Sequence, residues 1–163
     1  MSPSVYPIKL GLTTCYLIKD KGVILFDAGM PRKINRFNKS LAKIPVDPTE
    51  ISLIILSHSH FDHAGTAKDI REFTGARILV HRADEILLEQ SKTVWPKGVT
   101  TWGRISAFIF KIMLKRTMKY PGTKPDIVMD TEEFSLREYG GIKVVYPAHG
   151  RPFHPDRMKK SPD

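Results

Sequence analysis

An apolar run at residues 51–56 (ISLIIL) constrains the fold of this chain more than any other segment, because its length is that of a buried strand. A second run of the same type lies at residues 77–80. Helical patterns of apolar residues precede and follow these runs, at residues 32–44, 64–73 and 83–90. The resulting order of strand, loop, helix, strand and helix predicts an α/β fold.

The two ends of the chain carry further patterns. Residues 13–18 and 23–26 are β-branched and aliphatic segments separated by the turn KDKG, which predicts a hairpin. Residues 101–119 combine a Trp and Phe face with a lysine-rich C-terminal half, which predicts an amphipathic helix. A last strand is expected at residues 142–146, just before His149.

Length and composition exclude several classes of protein. The 163 residues suffice for one domain, and 41% hydrophobic with 26% charged residues is typical of a globular chain and not of a disordered one. Cys15 is the only cysteine, so no intramolecular disulfide forms, and we expect a small buried side chain in a reducing, cytoplasmic setting. No apolar stretch has the length of a membrane span, so no transmembrane segment is expected.

The formal net charge of +9 permits a partner of negative charge. Basic clusters lie at residues 32–33, 111–119 and 157–160. A nucleic-acid partner is not favoured, because these clusters lack the interleaved aromatic residues on which single-stranded bases stack. A helix at residues 101–119 that rests on an anionic membrane surface is one alternative. The same helix packing over a groove or at a subunit contact is the other.

Residues 56–65 (LSHSHFDHAG) contain four potential metal ligands, His58, His60, Asp62 and His63. On an extended segment His58 and His60 project to the same side, where both rings can reach one ion. Imidazole and carboxylate together suit zinc, iron(II) or manganese, and zinc is the default choice. The alternative is a set of surface histidines with Asp62 capping a helix, but chance rarely places four ligands so close together.

Residues 56–65 resemble the signature of the metallo-β-lactamase fold superfamily. The predicted hairpin, FDAG at residues 26–29 and VYPAHG at residues 145–150 are similar to further passages of that family. The resemblance implies one αβ/βα sandwich domain with an abbreviated C-terminal half and a metal centre at an edge where strand ends meet. Its parts would be a first β/α half, a basic amphipathic helical insertion and a remnant of the second half, at residues 1–95, 96–125 and 126–163.

The resemblance also implies roles for single residues. In such a site one metal ion is bound by His58 and His60, and the second by Asp62, His63 and His149. Asp62 is further expected to orient or relay the proton of a metal-activated water, which makes it the catalytic residue. Asp27 is expected to contact one of the ligand histidines and to fix its tautomer. The alternative is that Asp27, which precedes Ala-Gly, only forms a turn.

The sequence departs from the family pattern in its second half. Two family ligands, a histidine in a Pro-Gly-His-Thr-like loop and an aspartate that bridges the ions, are not recognisable, and no histidine lies between His81 and His149. We therefore expect one firmly held ion at Asp62, His63 and His149, and a weak second site unless Asp126, Asp130 or another subunit contributes. A shortened second half leaves part of the sheet uncovered, which favours a homo-oligomer. His81 and His154 stand alone and are interpreted as ordinary polar residues.

Two functions follow from these observations. The first is a metal-dependent hydrolase of a small-molecule ester, thioester, lactam or phosphodiester, with one or two ions of zinc, iron or manganese, impaired where the two missing ligands are not replaced. The alternative is a non-catalytic binding protein of the same fold, with nucleic acid as its partner.

Overall fold

The computed structural model describes residues 3–92, 118–130 and 136–139 of the chain. Within these ranges the strands are β1 (Ser4–Lys9), β2 (Thr14–Lys19), β3 (Val23–Phe26), β4 (Ile51–Ile55), β5 (Arg77–His81) and β6 (Ile127–Met129). The helices are α1 (Ile34–Leu41), α2 (Phe61–Ala64), α3 (Ala67–Thr74) and α4 (Arg82–Glu89), with single 3₁₀ turns at Pro48–Glu50 and Arg137–Tyr139. None of the helices in these ranges has the length and apolar character needed to cross a membrane.

The strands form one mixed sheet in the order β1-β2-β3-β4-β5-β6. β2 and β3 are antiparallel, with Tyr16 opposite Phe26 and Lys19 opposite Val23, so the predicted hairpin is confirmed. From β3 to β6 each pair of neighbouring strands is parallel. Because parallel strands end at the same edge, the residues that follow β3, β4, β5 and β6 meet along one edge of the sheet.

The middle of the sheet is apolar on both faces because both faces are covered. Ile54 and Ile78 belong to the larger core cluster, together with apolar residues of α1, α3 and α4. Their sequence neighbours Leu53 and Leu79 belong to a second cluster that also contains Tyr139. Since successive residues of a strand point to opposite faces, a strand covered on both sides needs the continuous apolar run of β4 and β5.

Strand β1 was not predicted, and its position explains why. It pairs with β2 along its whole length, from Ser4 opposite Lys19 to Lys9 opposite Thr14. Pro7 lies in the middle of this strand, and a proline in an apolar run argues against a strand because it cannot donate to the ladder. β1 is at the edge of the sheet, where this missing donor costs little.

The helical pattern at residues 64–73 is divided between α2 and α3. The backbone N–H of Gly65 donates to the Gly29 carbonyl at 2.8 Å, and so leaves the helical ladder. A Cβ on Gly65 would lie 2.3 Å from the Pro31 nitrogen, so only glycine permits this approach.

Two of the predicted elements fall mainly or wholly outside the described residues. Of the helix predicted at residues 101–119, only Met118 and Lys119 are described, and these two residues are not helical. The strand predicted at residues 142–146 lies entirely outside the described ranges. Strand β6, by contrast, was not predicted, because its three residues are too few to show a periodic pattern.

Cys15 provides a test of this packing. The side chain is fully buried on β2, which confirms the expected small apolar role. Burial, with a contribution from the charge of Asp27, raises the pKa of the Cys15 thiol. We therefore expect dithionitrobenzoate to leave the folded chain unmodified and to react with one thiol after unfolding, since only an accessible thiolate attacks the reagent.

A matched control is a Leu12→Cys variant, because Leu12 is 81% exposed and a cysteine there should react in the folded state. Rapid modification of Cys15 in the folded wild-type chain would contradict the described packing of β2.

Candidate functional site

The site lies at the shared edge where β3 and β4 end. Asp27 directly follows β3, and its backbone N–H donates to the Ile55 carbonyl at the end of β4 at 2.8 Å. Asp27 has a φ of 62°, a left-handed conformation that aspartate tolerates better than most residues. After β4 the chain bends at Ser57, and His60, which has extended backbone angles, occupies the N-cap position of α2. Asp62 and His63 therefore lie in the first turn of a helix.

The buried carboxylate of Asp27 organises the segment after β4. Asp27 is 2% exposed. One of its oxygens, Oδ1, accepts from the backbone N–H of Ser57 at 2.9 Å and from the Ser57 hydroxyl at 2.8 Å. The other, Oδ2, is 2.8 Å from Nδ1 of His63. The side chain therefore does more than form a turn, and it connects β3, the loop after β4 and α2.

These contacts fix the protonation of His63. A carboxylate only accepts hydrogen bonds, so Nδ1 of His63 carries the proton that is donated to Asp27. In the neutral ring Nε2 then keeps a free lone pair, and this atom lies 3.6 Å from Oδ2 of Asp62. Zinc ligands lie about 2.0–2.2 Å from the ion, so two ligand atoms of one ion are at most about 4 Å apart. The Asp62 and His63 atoms fit that limit.

The other two motif histidines lie beside this pair. The ring centroids of His58 and His63 are 4.1 Å apart, and those of His58 and His60 are 4.8 Å apart. Nδ1 of His58 is 3.0 Å from the Ser57 hydroxyl. Since that hydroxyl donates its proton to Asp27, it accepts from Nδ1 of His58 and leaves Nε2 as the free ligand atom of the ring.

The described residues do not by themselves complete a metal site. Among them, no three or more His, Cys, Asp and Glu side chains are arranged to hold one ion. Asp62 and His63 supply two donors that fit, and His149, the third ligand expected from the resemblance, lies outside the described residues.

Asp126 and Asp130 are candidate further donors to the weak second metal site, but both carboxylates have other partners. The Asp126 carboxylate accepts from the backbone N–H of Ile78 at 2.9 Å and pairs with Arg71, near the start of β5 and away from the site. Asp130 binds the Arg82 guanidinium through both oxygens, at 2.6 and 2.8 Å. The Asp126 carboxylate is therefore engaged at the opposite edge of the sheet, and the Asp130 carboxylate is engaged by Arg82.

The structure also accounts for two residues that the sequence singled out. His81 is exposed, and its ring accepts the backbone N–H of Ala83 at 3.2 Å, so it caps α4 as an ordinary polar residue. Asp62 does not cap α2, because His60 occupies the N-cap position. His154 lies outside the described residues.

Sequence reasoning missed Ser57, Asp84 and Tyr120. Ser57 connects Asp27 to the His58 ring, and its place beside the motif was the only signal for it. Asp84 and Tyr120 both bind Ser59, the residue between the two leading histidines. Nothing in the spacing of Asp84 and Tyr120 relative to the motif indicates this contact, because it depends on tertiary packing.

A pocket of about 310 Å³ opens beside the donor pair. Its wall carries hydroxyl groups and apolar side chains as well as the acidic and histidine residues of the site, namely Leu12, Thr13, Thr14, Tyr16, Phe26, Asp27, Asp62 and His63. The site can therefore receive a small organic molecule next to Asp62 and His63.

Electrostatics distinguishes the two histidines. Burial lowers the pKa of His58, the nearby His63 and His60 rings lower it further, and the charges of Asp27 and Asp62 oppose this only in part. Burial also lowers the pKa of His63, but the hydrogen bond and charge of Asp27, with the charge of Asp62, outweigh it and raise the pKa above its ordinary value. In the metal-free protein His63 is therefore protonated more readily than His58.

The chain is similar to a known protein family and to several solved structures. A family model described as the metallo-beta-lactamase superfamily matches residues 8–159. The subclass B3 metallo-beta-lactamase BJP-1 of Bradyrhizobium japonicum is 24% identical, with a TM-score of 0.60 over 82% of this chain and 47% of its own. Native FEZ-1 from Legionella gormanii is 19% identical, with a TM-score of 0.61 over 82% of this chain and 48% of its own.

A third structure, the class B3 di-zinc metallo-beta-lactamase LRA-12 from an Alaskan soil metagenome, is 17% identical, with a TM-score of 0.58 over 82% of this chain and 47% of its own. At these identities the likeness concerns the fold, and the predicted αβ/βα fold is confirmed. The chain spans about half the length of these structures, which agrees with the predicted abbreviation of the second half.

The opposite pKa shifts of His58 and His63 predict that the two rings titrate at different pH. In chelator-treated protein, we expect ring NMR signals to give His63 a higher pKa than His58. An Asp27→Asn variant should lower the pKa of His63, because the anionic partner is lost. Asp130→Asn, which changes an exposed carboxylate outside the cluster, is the matched control.

The sign of the stability effect follows from the raised pKa of folded His63. Protonated His63 stabilises the folded chain. This contribution is complete below the pKa that His63 has in the unfolded chain, and it is lost as the pH rises through the higher pKa that His63 has in the folded chain. A His63 ring that titrates below His58, or one that is indifferent to Asp27→Asn, would rule out the assigned ion pair.

Proposed function

Because the chain belongs to the metallo-beta-lactamase superfamily, we propose that it is a metal-dependent hydrolase with its centre at His58, His60, Asp62 and His63. The observation that carries the proposal is the fixed tautomer of His63. Asp27 holds the Nδ1 proton, so Nε2 is available as a ligand 3.6 Å from an Asp62 oxygen. Metal-ligating histidines almost always donate their other ring N–H to a carboxylate, a backbone carbonyl or a water, and His63 donates to Asp27 in this way.

We assign the ligands as follows. Asp62 and His63 hold one zinc ion, with His149 as the third protein donor, and His58 and His60 hold a second, weaker position. A zinc ion bound in this way supplies a water of lowered pKa and polarises a carbonyl or phosphoryl oxygen. The mixed imidazole and carboxylate donors suit zinc, iron(II) or manganese, and zinc is the first choice because LRA-12 is described as a di-zinc enzyme.

The residues around the metal position orient a ligand, transfer a proton and contact the substrate. Asp27 keeps the His63 ring in one orientation through the 2.8 Å contact to Nδ1. Asp62, which is partly exposed and lines the pocket, accepts and returns a proton at its carboxylate during hydrolysis. Leu12, Tyr16 and Phe26 supply contact surface for the organic part of a small-molecule substrate.

The direct test is hydrolysis by the full chain after chelator treatment and reloading with zinc, iron(II) or manganese. Substrates of each class are offered in turn, namely a p-nitrophenyl ester, a thioester, a chromogenic β-lactam and bis-p-nitrophenyl phosphate. We expect at least one class to be hydrolysed by the reloaded protein only. In protein whose metal content matches that of the wild type, Asp62→Asn should reduce kcat by about 10²- to 10⁴-fold, the usual contribution of a general acid or base.

Asp20→Asn is the matched control, because Asp20 lies in the turn between β2 and β3, at the opposite edge of the sheet from the cluster. If the reloaded wild-type chain retains its metal but hydrolyses none of the four classes, the hydrolase proposal is wrong and a non-catalytic binding protein is the better description.

A further inference from the structure

Ser59, the residue between His58 and His60, is fully buried and fully hydrogen bonded. Its backbone N–H donates to Oδ1 of Asp84 at 2.7 Å, and its hydroxyl donates to the backbone carbonyl of Asp84 at 3.0 Å. Its carbonyl accepts the Tyr120 hydroxyl at 2.7 Å. Two residues that lie 25 and 61 positions further along the chain therefore satisfy all three polar groups of Ser59.

We propose that Asp84 and Tyr120 are positioning residues that set the spacing of the His58 and His60 rings. This inference rests on the proposed metal centre and adds two residues to it. The Asp84 and Tyr120 side chains act through the backbone N–H and carbonyl of Ser59.

The position of Ser59 in the fold explains why such support is needed. Ser59 lies beyond the end of β4, so the strand ladder no longer satisfies its backbone groups. Buried backbone groups without a partner are costly, and other parts of the protein must provide the partners. The backbone conformation at Ser59 also decides whether the flanking rings stay on one side, at their observed centroid distance of 4.8 Å.

Asp84 provides a rigid support because it belongs to a capped helix. It lies in the first turn of α4, where a carboxylate is favoured by the helix dipole. The His81 ring caps this helix by accepting the Ala83 N–H. Asp84 contacts Ser59 through both its side chain and its backbone, so a displacement of α4 would be transmitted to the segment between the histidines.

Tyr120 provides the second support from a distant segment. It is 3% exposed, and burial with the charge of Asp84 raises the pKa of Tyr120 to about 12, so the phenol remains a donor at neutral pH. Gly122 fixes this segment against α4, because a Cβ there would lie 2.1 Å from the Glu89 carbonyl oxygen. The segment that carries Tyr120 therefore packs closely against the helix that carries Asp84.

The first test measures zinc affinity by competition with a chromophoric chelator, with zinc as the only probe. Asp84→Ala and Tyr120→Phe should weaken binding of the zinc ion at His58 and His60 by about 10-fold or more, within the range found when residues that orient metal ligands are replaced. Asp84→Asn should restore most of the affinity, because the amide oxygen still accepts the Ser59 N–H. Glu85→Ala is the control, since the Glu85 carboxylate lies on the same helix and pairs with the exposed Arg82 side chain.

The second test measures amide hydrogen exchange in the chelator-treated protein. Asp84→Ala should accelerate exchange at Ser59 while the β4 amides of Leu53 and Ile54 keep wild-type rates. Uniform acceleration along β4 would indicate loss of structure and would overturn the positioning role, as would unchanged exchange at Ser59. Equal zinc affinity in all variants would overturn it too.

The two tests separate this proposal from the one on which it rests. A wild-type chain that binds no zinc would refute the metal centre, and the exchange rates would still show whether Asp84 and Tyr120 fix the segment at Ser59.

Discussion

The site depends on the buried carboxylate of Asp27. A carboxylate without partners would be expensive to bury, and here Ser57 and His63 satisfy both of its oxygens. The same contacts join the end of β3, the loop after β4 and helix α2. Asp27 holds a left-handed backbone conformation in order to reach them. The orientation of His63 is therefore a consequence of how the sheet edge is built, and it does not depend on α2 alone.

The parallel part of the sheet explains why the cluster forms where it does. Strands β3 and β4 end side by side, so residues about thirty positions apart meet at one edge. Gly29 and Gly65 allow the two following loops to touch, with the Gly65 N–H bound to the Gly29 carbonyl. The pocket next to Asp62 is lined by residues of the turn after β1, of β2, of the end of β3 and of α2.

Much of this arrangement could be predicted from the sequence, because it depends on local patterns. The hairpin, the apolar strands β4 and β5, the fold and the convergence of strand ends follow from periodicity and from the motif. Strand β1 could not be predicted, since Pro7 is acceptable only at a sheet edge. The Asp84 and Tyr120 contacts with Ser59 could not be predicted either, since they join segments whose packing no local pattern encodes. The ligand role of His149, homo-oligomerisation and a cytoplasmic location stay predictions, and a nucleic-acid partner stays the less favoured alternative.

The most direct test of the metal centre is the metal content of the full chain by elemental analysis, with an intact-mass check, on protein purified without added metal. We expect about one or more equivalents of zinc, iron or manganese per chain, as suits a three-ligand site with water. The His149→Ala variant should lose stoichiometric binding. A wild-type chain that contains almost no metal and takes up none on titration would contradict the metal centre. Full retention by His149→Ala would contradict the assigned third ligand.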